Sequence, residues 1–228
     1  MIKAVIFDMF ETLITHHNSP LYYGAHMAED AGIPVEEFLP LWRKTEGDRT
    51  IGKYTVDEVV ADILKQKDCF SEELVELIVN KRKNVTKACF ENLHPEIIPM
   101  LSEMKKMGYL VGLISNCFSE EAEGIREGIL FPYFDAVCLS YEKGLMKPDV
   151  RIYQVCMEEL GVQSEECLYV GDGGSRELET AREVGMTAAQ AVWYLKDGTS
   201  QPAKRKPEFI QLETPMDVVE YLEKRVCK

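Results

Sequence analysis

Four short apolar runs constrain the fold of this chain more than anything else in it. They are KAVIFD (3–8), YLVGLISN (109–116), DAVCLS (135–140) and CLYVGD (167–172). Each is nearly continuous in apolar residues and stops on a small or polar one. A strand with one wet face alternates, whereas a strand covered on both faces does not. Stretches of helical period lie between the runs. PEIIPMLSEMKKMG (95–108) puts Ile97, Ile98, Leu101 and Met104 on one side and stops at Gly108. PDVRIYQVCMEELG (148–161) begins at a proline and ends in glycine, and SRELETAREVG (175–185) does much the same. A weaker fifth run, TAAQAVW (187–193), follows. The alternation predicts an α/β fold: a doubly wound parallel sheet with helices on both faces.

Residues 16–94 break that rhythm. They hold no buried run, only amphipathic stretches at about 21–32, 35–47, 55–66 and 71–90, punctuated by Gly32-Ile33-Pro34, Gly47, Gly52 and His94-Pro95. The expected organisation is an α/β core made of 1–15 and 95–228, with an all-helical module, 16–94, inserted after the first strand. DGTSQPAKRKPEF (197–209) reads as a polar surface loop before a last helix at 215–225.

Charge and composition narrow the function. The chain has 228 residues, enough for a full core, and 46% of them are hydrophobic. Lys plus Arg number 26 against 39 acids, a net charge of -13, so nucleic acid is not an expected partner. No apolar stretch reaches the length of a membrane span, and Asp8 interrupts the first run too early for a signal peptide. The seven cysteines include no CxxC pair and sit mostly in apolar runs, which points to a reducing cytoplasm. Oligomeric state is left open.

In a doubly wound sheet ligands bind beyond the carboxyl ends of the strands. The polar residues there are Asp8, then Ser115 and Asn116, then Asp172, with Lys147 on the loop after the third run. Singly, each has a plain structural reading: Asp or Ser-Asn after a strand caps a helix or turns the chain, and a loop lysine is solvated. Glu177 equally suits the first turn of a helix, and Gly173-Gly174 any tight turn. Their joint placement is harder to explain that way.

Together these residues resemble the haloacid dehalogenase-like hydrolases, with four motifs in order over residues 2–187. Asp8 to Thr12 in FDMFET match the first, Ser115 with Asn116 the second, Lys147 in KGLMKPD the third, and Asp172 with Glu177 in VGDGGSRELETAREVGM the fourth. The resemblance implies a Rossmann-like core with a helical cap, and a nucleophilic Asp8. Its implied metal is Mg²⁺, on the Asp8 and Asp172 carboxylates, the Phe10 backbone carbonyl and, through water, Glu177. Lys147 would supply a fixed positive charge, and Ser115, Asn116 and nearby amides would hold the oxygens of a small anionic substrate. Thr12 and Gly173, with Arg43 and Arg49 from the cap, are candidates for substrate contact. Such a hard cation prefers carboxylate, carbonyl and water oxygens, and an Asp nucleophile splits one difficult displacement into two.

Phe10 departs from the pattern. In phosphatases of the family that position holds an Asp, which protonates the leaving oxygen and later activates water. A phenyl ring transfers no proton, although its backbone carbonyl survives. Haloalkanoate dehalogenases of the same superfamily carry an aromatic there, and their cap has a Leu-Trp-Arg stretch that Leu41-Trp42-Arg43 matches. Those enzymes work without metal and resemble Ser-Asn where this chain has Gly171-Asp172. Three readings stand: a Mg²⁺-dependent phosphomonoesterase, which the acids favour; a 2-haloacid dehalogenase; and a phosphate-ligand binding or regulatory protein with little turnover. His16 and His17 are expected on a surface loop rather than in the cleft, and Trp42 in cap packing.

Overall fold

The computed structural model describes residues 1–18, 21–196 and 203–226. Among them, six strands form one parallel sheet: β1 (Ala4–Phe7), β2 (Leu110–Ser115), β3 (Ala136–Leu139), β4 (Cys167–Gly171), β5 (Thr187–Ala191) and β6 (Ile210–Leu212). The spatial order is β3-β2-β1-β4-β5-β6. The continuous apolar runs are buried because both faces are covered. One face carries a cluster built on Val5, Phe7, Leu113, Val170 and the helix α6 (Ile97–Lys106). The other is built on Ile6, Ile114, Tyr169 and the helix α9 (Val150–Leu160).

This strand order has a reversal at β1. The chain passes from β1 outward through β2 to β3, then returns to lay β4 on the other side of β1. Register sets Phe7 level with Leu113 and with Val170. Asp8, which follows β1, and Asp172, which follows β4, therefore leave the sheet side by side at the switch point, where doubly wound sheets bind their ligands.

Between β1 and α6 the described residues hold five α-helices: α1 (Gly24–Ala31), α2 (Val35–Lys44), α3 (Glu46–Thr50), α4 (Val56–Gln66) and α5 (Glu72–Glu91). They bury their own cluster, including Met27, Phe38, Trp42, Val60, Ile63 and Ile78. Local signals explain their starts. Thr55 Oγ1 accepts from the Glu58 amide at 3.2 Å while Glu58 Oε2 accepts from the Thr55 amide at 2.8 Å, a reciprocal cap on α4. Ser71 Oγ accepts from the Leu74 amide at 3.1 Å and opens α5. The remaining helices are α7 (Ser119–Glu127), α8 (Ser140–Lys143), α10 (Glu177–Glu183) and α11 (Met216–Val226).

Three details differ from the sequence reading. The stretch 35–47 is two helices that meet at Thr45, which lies outside both and accepts from Arg49 Nε through its hydroxyl. The short strand β6 forms just past the expected polar loop, pairing Ala189 to Ala191 with Ile210 to Leu212. The loop's residues 197–202 lie outside the described residues. No helix among the described residues is long and apolar enough to cross a membrane.

The sheet is tight against α9 at Gly112. A Cβ there would sit 3.0 Å from Cys156 Sγ, 3.0 Å from Leu160 Cδ1 and 3.1 Å from Ile6 Cγ1. Gly112→Val is therefore expected to destabilise the chain by about 1–3 kcal/mol through overpacking. Urea denaturation checks this; an unchanged midpoint would contradict it.

Candidate active site

Local geometry at the switch point gathers side chains from four separate segments. Asp8 stays in line with the sheet because its amide donates to Val170 O at 2.9 Å. Lys147 comes from the loop between α8 and α9, and its backbone is held by one side chain. Asn116 Oδ1 accepts from the Lys147 amide at 2.8 Å, and Asn116 Nδ2 donates to Lys147 O at 3.0 Å. That double bond to the peptide aims the buried Lys147 side chain inward. Its Nζ donates to Asp8 Oδ1 at 2.6 Å and to Glu177 Oε2 at 2.6 Å.

Glu177 opens α10 and is fully buried. Its Oε2 also accepts from Tyr169 OH at 2.9 Å, and its Oε1 from the Gly173 amide at 3.0 Å. It passes beside Gly171, where a Cβ would stand 2.1 Å from Glu177 Oε1, so only glycine fits. Asp172 Oδ1 accepts from the Gly174 amide at 2.8 Å, and Gln190 Nε2 donates to Asp172 O at 2.7 Å. The chain bends here through positive φ at Gly173 (95°), Ser175 (51°) and Arg176 (53°). Two of those are not glycine, so the turn carries backbone strain of the kind functional loops hold.

Charge does not balance within this cluster. Asp8, Asp172 and Glu177 each offer an oxygen within 4.8 Å of the others, and one lysine pairs with two of them, Asp8 and Glu177. Burial raises the Asp8 carboxyl to about 7, the charge of Glu177 adding to the rise and Lys147 opposing it. Burial likewise raises Asp172 to about 8, with Glu177 and Asp8 adding. For Lys147, burial works against the charge, yet the two acids outweigh it and hold the amine protonated well above its ordinary range. The donors are all carboxylate oxygens, the set a hard divalent cation takes. Asp8 Oδ2 and Asp172 Oδ2 take no part in the bonds described. Glu177 has both oxygens engaged, which leaves it a supporting place rather than a direct one.

The other expected site residues fall in different places. Ser115 is fully buried, its hydroxyl 3.5 Å from Asn116 O. Asn116 is spent on orienting Lys147. Thr12 is fully buried, its Oγ1 has no hydrogen-bond partner among the described residues, and its carbonyl accepts from Trp193 Nε1 at 2.8 Å. Gly173 gives its amide to Glu177. The Phe10 ring stacks on the His16 imidazole, centroids 4.8 Å apart and planes 9° from parallel. His16 is more covered than a surface loop implies and lines a cavity of about 360 Å³ together with Trp42, Arg43 and Arg49. A second cavity of about 620 Å³ is lined by Asn116 and Lys147, and the two share Glu46 and Phe118. Sequence reasoning missed Tyr169. Its signal was a hydroxyl inside a fully buried strand, which must find a polar partner.

The family model described as haloacid dehalogenase-like hydrolase matches residues 2–185. The glyceraldehyde 3-phosphate phosphatase of Methanocaldococcus jannaschii is 30% identical over 198 residues, covering 82% of this chain and 83% of its own. Among solved structures, a 2-haloacid dehalogenase from Pseudomonas syringae pv. Tomato has TM-score 0.70 at 22% identity, covering 98% of this chain and 99% of its own. A HAD family enzyme from Bacteroides thetaiotaomicron, in complex with magnesium and inorganic phosphate, has TM-score 0.62 at 18% identity, over 89% and 98%. The two structures establish the shared fold.

The charge imbalance sets a pH dependence. Unfolded, Asp8 and Asp172 lose their protons near their ordinary 3.8; folded and metal-free, they keep them to about 7 and about 8. Across that window the folded state binds more protons, so metal-free stability falls as pH rises from about 4 to 8. A cation that binds the ionised acids stabilises most at the upper end. Mg²⁺ at a hundredfold its Kd is expected to add about 2.7 kcal/mol, or roughly 5–10 °C in the melting temperature, at pH 8. The gain at pH 5 should be much smaller. Equal shifts at both pH values would contradict this account.

Proposed function

Because the chain belongs to the haloacid dehalogenase-like hydrolases, we propose that it hydrolyses small phosphomonoesters with Mg²⁺, through a covalent phosphoryl group on Asp8. The observation that carries this reading is the charge count: three clustered carboxylates and one lysine, which pairs with two of them. Bound beside Asp8 and Asp172, Mg²⁺ supplies the positive charge that lets an anionic nucleophile approach an anionic phosphorus. The names of the phosphatase relative and of the magnesium–phosphate complex support the same chemistry.

The residues divide the work. Asp8 attacks phosphorus and holds the phosphoryl group until water releases it. Lys147 fixes the Asp8 carboxylate and neutralises charge on the phosphoryl oxygens. Asn116 positions Lys147 through its peptide, and Ser115 lies at the same strand end. The Phe10 carbonyl and Glu177, the latter through water, complete the proposed metal surroundings. The turn around Thr12 and Gly173 shapes the two loops that carry the acids. Helices α1 to α5 form the cap, whose Arg43 and Arg49 line the cavity on its side of the cleft. Cys69, Cys117, Cys138, Cys156 and Cys167 hold free thiols, which fits a reducing cytoplasm.

Phe10 makes this enzyme slow on poor leaving groups, because no acid stands at its position. A second reading, a metal-free 2-haloacid dehalogenase, draws on Phe10 and on Arg43 beside Trp42. It leaves Asp172 and Glu177 repelling the nucleophile with only Lys147 to offset them.

Turnover decides between them. Mg²⁺-dependent phosphate release from p-nitrophenyl phosphate, stopped by chelator and by Asp8→Asn, is the expected result. Chloride release from 2-chloropropionate that ignores chelator would overturn it in favour of the dehalogenase. Binding of inorganic phosphate without any turnover would favour the regulatory protein. Phe10→Asp is expected to raise kcat on alkyl phosphates by about 10²-fold, the lower end of general acid–base assistance. No gain there would contradict the role given to Phe10.

A further inference from the structure

Arg49 is a buried cation that the described residues satisfy only in part. It is 1% exposed, and its guanidinium lies between two aromatic faces, 3.4 Å from the Trp42 ring centroid and 4.3 Å from that of Phe118. Nε donates to Thr45 Oγ1 at 3.1 Å and Nη2 to Trp42 O at 2.9 Å. Among the described residues Nη1 has no partner, and no carboxylate forms an ion pair with Arg49. The acids of α7 are engaged elsewhere: Glu120 and Glu121 both pair with Arg82, and Glu121 also caps the Phe118 amide. Burial lowers the Arg49 guanidinium to about 10, and repulsion from Arg82 adds to the fall. A desolvated charge with a bare N–H is costly to hold, and a stable chain keeps one where something else completes it.

Its position says what completes it. Arg49 lines the cavity of about 360 Å³, with Arg43 exposed on the same wall, and this cavity meets the one lined by Lys147 and Asn116 across Phe118 and Glu46. The two cationic centres thus line neighbouring cavities that share a wall. Resting on the phosphatase reading, we propose that Arg49 is a second anion subsite, and that the preferred substrate is a phosphomonoester whose leaving portion carries a further oxyanion, a carboxylate or a second phosphate. The phosphoryl group under attack meets Lys147. The second oxyanion accepts from Arg49 Nη1, flanked by Trp42 and Phe118.

Matched substrates test this. 3-Phosphoglycerate and glycerol 3-phosphate share one skeleton and differ by a carboxylate, while fructose 1,6-bisphosphate and fructose 6-phosphate differ by a second phosphate. The quantity read is the ratio of kcat/KM within each pair, with Mg²⁺. The wild-type ratio is expected to exceed about tenfold in at least one pair, as for a charge-assisted hydrogen bond, and the pair identifies which oxyanion is meant. Arg49→Met should bring that ratio close to one, and Arg49→Lys should keep part of it. Wild-type ratios near one in both pairs, or a preference that survives in both variants, would overturn the subsite. Should Arg49→Met fail to fold, the wild-type ratio and the Lys variant still decide. Absence of Mg²⁺-dependent turnover of p-nitrophenyl phosphate would instead remove the phosphatase reading on which the subsite rests.

Discussion

One lysine held against three acids governs this structure. Lys147 Nζ bridges Asp8 and Glu177, and Asp172 completes a cluster whose oxygens lie within 4.8 Å. Such a group is unfavourable in a dry interior unless each charge is matched, and the three ionised acids leave two negative charges beyond the one that the lysine offsets. The surroundings are arranged to hold the acids in place despite that: Tyr169, the amides of Gly173 and Gly174, and the Asn116 grip on the Lys147 peptide. A divalent cation turns the excess from a cost into a binding site.

The fold makes this cluster possible by bringing distant segments to one line. Reversal of strand order at β1 places the ends of β1 and β4 next to each other, although Asp8 and Asp172 are far apart in sequence. Glu177 reaches back because Gly171 has no side chain in its path. Trp42 and Arg49 from the helices α2 and α3 meet Phe118, which follows β2.

Much of this was legible in the sequence, for physical reasons. Strands buried on both faces read as continuous apolar runs, so β1 to β4 stood out, and their terminal residues named Asp8, Asp172 and the Lys147 loop. The three-residue β6 did not, because Ile210 and Gln211 are only half covered and follow a polar loop. Charge-rich α7 was likewise hidden, although its Glu120 and Glu121 hold Arg82. Side-chain pairing is long-range information. That Asn116 serves the Lys147 backbone, that the buried Thr12 hydroxyl has no partner among the described residues, and that Arg49 stacks between two rings all depend on segments meeting in space. Phe10 was visible as a departure, but its stacking on His16 was not.

Calorimetric titration of Mg²⁺ tests the central claim most directly, with the wild-type chain compared with Asp172→Asn at pH 8. The account predicts one ion per wild-type chain and little or no binding by the variant, since one of the two acids with an oxygen left for the ion is gone. A wild-type chain that takes up no Mg²⁺, or a variant that binds it as tightly, would contradict it.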